Sequence, residues 1–183
     1  MPAPSRTASA LTLIDTREAA GGKPVRREPS GQVDRRSRQP LPRRVGGTLI
    51  DKIEIQETIS RYHAAGSTCD WDQLIATFLP DGVWEVPSLK IRCEGHADIR
   101  ERMMALLEPI EYLVQINAPA IIAIDGDTAS AGSPIRECAK FRGQPGLIDV
   151  VGQFNDEVRR TSDGWKFAHR TFTVLGTHVS EGR

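Results

Sequence analysis

Cysteine is scarce in this chain of 183 residues: Cys69, Cys93 and Cys138 are all there are, and no two stand as CxxC. An odd set without motif spacing excludes a disulfide framework and a thiol redox motif, and it points to reduced thiols in a cytoplasmic protein. Long apolar runs are missing too. No stretch approaches the roughly 18 residues that a spanning helix needs, so no membrane partner is expected. Near the start, SALTLI is too short for a secretory h-region and is followed by charges. There is no glycine-rich phosphate loop and no GxGxxG after a strand, so no nucleotide cofactor is expected. His96 and Asp98 lack further ligands at metal spacing, so no metal is expected either.

Net charge is absent only in sum. Up to Gly47 there are ten Lys/Arg against four Asp/Glu, and from Thr48 onward 14 against 20. Residues 1–47, rich in Arg, Pro, Ser and Gly, read as a disordered basic extension, because so few apolar residues cannot offset the entropy of ordering them. The remainder, 48–177, is acidic and reads as one domain, with 178–183 as a flexible tail. Nucleic acid is not an expected partner, since only the arginine cluster of the extension would attract it.

Within 48–177, Ile53, Ile55, Ile59 and Tyr62 lie at near-helical spacing and predict a first helix over 50–65, closed by Gly66. Asp70, three residues before Gln73, reads as the cap of a second helix containing Trp71, Leu74, Ile75 and Phe78, with Asp72 exposed in its first turn. Pro80-Asp81-Gly82 predicts a turn. GVWEVP and SLKIRC form a hairpin pattern, and Ile99, Met103 and Leu106 mark a third helix. The rest alternates as strands, with a turn at Asp125-Gly126-Asp127. Helices first and long strands after them predict an α+β fold, in which helices cover one face of a curved, mostly antiparallel sheet and leave a cone able to hold a small molecule.

Tyr62, Asp70-Trp71-Asp72, Phe78, Pro80-Asp81-Gly82-Val83-Trp84, Gly95 with Ile99, Asp125-Gly126-Asp127 and Gly164-Trp165-Lys166-Phe167 with Arg170 occur in that order over 50–176. In this the chain resembles the SnoaL-like branch of the NTF2-like superfamily, relatives of scytalone dehydratase, ketosteroid isomerase and polyketide cyclases. The resemblance implies a cone-shaped barrel that assembles as a homodimer or homotrimer through the outer face of its sheet. It also implies cofactor-independent dehydration or isomerisation of an apolar oxygenated cyclic compound. Where dehydratase relatives carry an Asp and a His, this chain has Ser67 and Gln115, and Pro119 stands at a position often held by Asn. The carboxylate that ketosteroid isomerase places before a proline is replaced here by Val86, with Glu85 on the opposite face.

Strand parity supplies substitutes. Asp156 shares a phase with Phe154 and Val158; Glu137 shares one with Ala129, Ala131, Ser133 and Ile135; Gln115 pairs with Asn117; His169 follows Trp165 and Phe167. The expected catalytic set is therefore Tyr62, Asp156 and His169, with Ser67, Trp84, Gln115, Asn117 and Glu137 touching substrate. A histidine with two carboxylates in an apolar cone can move protons, because burial raises carboxylate pKa values. Paired acids could also activate water for epoxide opening. His63, about 100° around the helix from Tyr62, reads as a surface residue. A non-catalytic binding or assembly module is the competing reading, since neither Ser67 nor Gln115 is a base.

Overall fold

A computed structural model of the chain describes residues 48–180; the expected extension and residues 181–183 of the tail lie outside them. The order is α1 (Leu49–Thr68), α2 (Trp71–Ala76), β1 (Phe78–Val86), a 3-10 turn (Pro87–Leu89), β2 (Ile91–Glu94), α3 (Gly95–Leu107), β3 (Ile110–Asn117), β4 (Ile121–Asp125), β5 (Thr128–Phe141), β6 (Ile148–Thr161) and β7 (Gly164–Val179). The strands form one seven-stranded sheet in the order β2-β1-β7-β6-β5-β3, with β4 also paired to β5. The β1/β7 pair is parallel and the other strand pairs are antiparallel. This is the expected α+β architecture, with the last strand running two residues past 177.

Helix α1 starts on a reciprocal cap. Thr48 Oγ1 accepts from the Asp51 N–H at 3.2 Å, and Asp51 Oδ2 accepts from the Thr48 N–H at 2.8 Å. Asp51 also pairs with Arg160 at 2.6 Å and accepts from Trp165 Nε1 at 3.4 Å, which ties the helix start to the β6–β7 hairpin. These donors, Arg160 foremost, hold its carboxyl well below the ordinary range.

The helix does not stop at Gly66. It continues to Thr68 and closes at Cys69, which takes a left-handed φ of 56°. Gly66 instead marks a close approach: a Cβ there would stand 3.0 Å from Gln115 Oε1 on β3. Asp70 caps α2 as expected, accepting from the Gln73 N–H at 3.0 Å. Asp72 is exposed and pairs with Arg100 at 2.6 Å. Phe78 falls outside α2, and Pro80-Asp81-Gly82 does not form the expected turn. Both lie in β1, whose pairing to β7 slips between Phe78 and Val83, so the proline and glycine are absorbed in a bulge.

The helical side of the core comes from Ile55, Ile59, Leu74, Ile75, Ile99 and Met103; the sheet supplies Phe78, Trp84, Phe154, Val158, Trp165, Phe167 and Phe172. Each such side chain contributes roughly 1.5–3 kcal/mol through burial. Ile53 faces solvent, at 57% exposure, so the apolar stripe of α1 is narrower than its spacing suggests.

Candidate functional site

Strand β7 decides which polar groups enter the cone. Its register against β6 runs Glu157↔His169 and then Val158↔Phe167, so one extra residue, Ala168, is left unopposed. Trp165 and Phe167 are buried before this bulge, and Arg170 and Phe172 after it. His169, expected to share the inner face with Trp165 and Phe167, is therefore turned to the other face. There it stands 3.1 Å from Glu85 Oε1, which also accepts from Thr171 Oγ1 at 3.2 Å; Arg92 donates to Oε2 at 3.2 Å. The parity rule fails because a bulge shifts phase by one residue.

Arg170 takes the inner position and is fully buried. Its guanidinium carbon lies 3.9 Å from the ring centroid of Phe154, 4.2 Å from Tyr62 and 4.3 Å from Phe167. Three electron-rich faces partly replace the water it gives up. Nη1 donates to Asp156 Oδ2 at 3.2 Å, and Nη2 stands 3.1 Å from His63 Nε2. Asp156 Oδ1 and Arg170 Nε have no hydrogen-bond partner among the described residues.

His63 is thus not the surface residue that helix geometry suggested; it is 5% exposed. The 100° step from Tyr62 would expose it on a helix packed along one side only. Helix α1, however, is packed against both β3 and β7, and the imidazole fits between them, edge-on to Tyr62 and Phe154 with centroids 5.3 Å away in each case. Its other nitrogen, Nδ1, is 3.4 Å from Gln115 Oε1, and Gln115 Nε2 donates to Glu137 Oε1 at 2.5 Å.

Burial and the Arg170 charge push the His63 pKa down to about 3. Burial pushes Asp156 up to about 6 against the pull of Arg170, and raises Glu137 as well. The Tyr62 hydroxyl is also driven up, by burial. Within a few ångströms the cone therefore holds a permanent cation, a neutral imidazole and two carboxylates with raised proton affinity.

This cluster meets solvent at a cleft of about 460 Å³ between α1 and β3, lined by Gln56, Ser60, His63, Ala64, Ser67, Gln115, Asn117 and Pro119. Of the residues expected from the sequence, Ser67, Gln115 and Asn117 line the cleft, and Glu137 reaches it through Gln115. Tyr62, Trp84 and Asp156 are buried in the cone, at 3%, 5% and 3% exposure. Among the described residues no group of three or more His, Cys, Asp or Glu is arranged to hold a metal ion. None of the described helices is long and apolar enough to cross a membrane.

The sequence pattern of the SnoaL-like domain matches residues 47–171, more than half of the chain. The chain belongs to the SnoaL-like family. An uncharacterized protein of Mycobacterium tuberculosis (strain ATCC 25618 / H37Rv) is similar at 25% identity over 126 residues, 68% of this chain and 86% of its own. Among solved structures, an NTF2-like protein with a cystatin-like fold from Novosphingobium aromaticivorans superposes with a TM-score of 0.61 at 26% identity, covering 69% of this chain and 83% of that one. A candidate scytalone dehydratase from Novosphingobium aromaticivorans DSM 12444 gives 0.67 at 17% identity, with coverages of 74% and 91%. A hexachlorocyclohexane dehydrochlorinase from Novosphingobium barchaimii LL02 gives 0.68 at 12% identity, with 74% and 93%. The last two share the fold of this SnoaL-like chain; their chemistry is their own.

His63 and Arg170 are the residues that helix spacing and strand parity did not place in the cone. A signal for Arg170 exists in the sequence. Phe167 and Phe172 are an odd number of residues apart, so a regular strand cannot bury both, and a bulge between them is required.

Proposed function

We propose that this SnoaL-like chain binds an apolar oxygenated cyclic compound in the cleft between α1 and β3 and acts on it by proton transfer, as a dehydratase or isomerase. The observation that carries the reading is the placing of Asp156 and Glu137 on either side of the Arg170–His63 contact. Two carboxylates whose affinity for protons is raised toward neutrality can hold or release one beside a ligand. Ser67, Gln115 and Asn117 orient the ligand from the cleft wall, while Tyr62 and Trp84 stay buried in the cone behind it.

The outer face of the sheet exposes Tyr112, Val114, Ile116 and Val151, which supports a homo-oligomer built through that face. The competing binding-module reading is favoured by the cleft wall itself, whose polar side chains are all neutral near pH 7.

One experiment separates the two readings. Incubating the protein with a panel of cyclic ketones and hydroxyketones in D2O, and following deuterium uptake and loss of hydroxyl by proton NMR, should reveal turnover that Glu137→Gln and Asp156→Asn each reduce. Saturable binding without exchange or elimination across the panel would leave only the binding module.

A further inference from the structure

Polar contacts between Arg170 and Glu137 have a direction, and one residue sets it. A guanidinium has only donors and keeps its proton throughout the accessible pH range. Arg170 Nη2 lies 3.1 Å from His63 Nε2, so Nε2 must be the accepting, unprotonated nitrogen. In a neutral ring the hydrogen is then on Nδ1, and Nδ1–H donates to Gln115 Oε1 at 3.4 Å. That orients the Gln115 amide, whose Nε2 donates to Glu137 Oε1 at 2.5 Å. Every donor in the series Arg170, His63, Gln115, Glu137 thus points the same way, toward the carboxylate.

We propose that Arg170 is a positioning residue that fixes His63 as an Nδ1–H imidazole, so that His63 serves the cleft as a hydrogen-bond donor to an acceptor oxygen of the ligand and not as a base. The nitrogen that could accept a proton faces the buried guanidinium. The nitrogen that donates faces Gln115, and both of those residues line the cleft. At 3.4 Å the His63–Gln115 contact is long, and a ligand carbonyl or enolate oxygen entering the cleft can take Gln115's place as acceptor. A neutral imidazole polarising a carbonyl is an established catalytic role for histidine.

The charged and titratable groups around the ring support this assignment. Arg170 from β7 disfavours a second proton, Asp156 from β6 is engaged by Arg170, Glu137 from β5 is separated from the ring by Gln115, and Tyr62 on α1 keeps its proton. The donor role rests on the cleft being the ligand site; the tautomer does not. It moves the proton-accepting step in the proposed reaction to the carboxylates.

The test uses the full chain labelled with 15N-histidine. Long-range proton–nitrogen correlation spectra distinguish the two nitrogens of each ring, and the other three histidines are assigned by replacing His96, His169 and His178 with Gln one at a time. The expected result is a protonated Nδ1 and a bare Nε2 at His63, unchanged from about pH 8 to about pH 5, where an ordinary histidine would titrate. Arg170→Lys, which retains a donor-only partner, should keep this pattern, whereas Arg170→Met takes away the partner of Nε2 and should let an Nε2–H tautomer appear, with burial still disfavouring the charged ring. An Nε2–H tautomer in the wild type, a wild-type titration midpoint near 6.5, or an unchanged His63 in a folded Arg170→Met protein overturns the inference. Should the Met variant fail to fold, the wild-type spectrum decides by itself. Titrating cyclohexanone into the wild type should move the His63 Nδ1–H signal saturably. An intact Nδ1–H tautomer with shifts only at residues outside the cleft overturns the proposed ligand site, and the donor role with it.

Discussion

Burying His63 as a neutral ring should make this protein acid-labile in a way that a single substitution removes. In the unfolded chain the imidazole titrates near its ordinary 6.5, while in the fold it takes a proton only at about 3. Between those values the unfolded state binds the extra proton and the native state does not, so stability falls as pH falls. The contribution is fully present above about 6.5 and fully lost near 3. At about 1.4 kcal/mol per pH unit, the loss between pH 7 and about pH 4 is roughly 3 kcal/mol, a large part of an ordinary domain's 5–15 kcal/mol. His63→Gln keeps an acceptor for Arg170 but cannot titrate. Asp156 titrates in both proteins, with the opposite sign, and cancels in their difference. Urea denaturation of wild type and variant at pH 7, about 5.5 and about 4 should show the stability difference shifting by roughly 3 kcal/mol in favour of the variant as pH falls. A difference that stays constant across that range would refute the burial of His63 as a neutral ring.

Asp156→Asn leaves a fully buried guanidinium without a counter-charge and should cost about 3–5 kcal/mol in chemical denaturation at pH 7. Gly152→Ala would drive a Cβ to within 2.3 Å of Cε2 on the Phe172 ring and should destabilise by about 1–3 kcal/mol, read as a lowered denaturation midpoint with unchanged m-value. Thr48→Ala removes one half of the reciprocal cap on α1 and should cost about 1 kcal/mol by the same measurement.

The fold was readable because apolar spacing, the Asp70 cap and strand alternation all favour one architecture, and because burial enforces alternation wherever one face of a strand is covered. Asp156 shows this: Phe154 and Val158 on either side fix its direction, and the structure buries all three. His169 shows where the rule ends. Trp165 and Phe167 set one phase for it, and the unopposed Ala168 reverses that phase. His63 escaped for another reason, because helix periodicity reports an angle around an axis and not how many neighbours pack against it. The cleft wall was partly visible as Ser67 on α1 and the polar residues of β3, Gln115 and Asn117, while Gln56, Ser60 and Ala64, the rest of the α1 wall beside His63, carried no sequence signal.

The sixteen residues of β7 contain two possible interiors. Paired without interruption beyond Phe167, the strand would bring His169, Thr171 and Thr173 inward; paired with Ala168 extruded, it brings Arg170, Phe172 and Val174. The choice between an imidazole and a guanidinium inside the cone is therefore made by hydrophobic residues that perform no chemistry. Phe172, stacked on Phe154 with centroids 4.8 Å apart, rewards the extruded pairing with the burial of an aromatic ring. A polar residue at 172 would weaken that preference and let the strand slide back. The set of polar groups that a strand turns inward can thus be exchanged from a distance, by a change in packing that alters none of those groups.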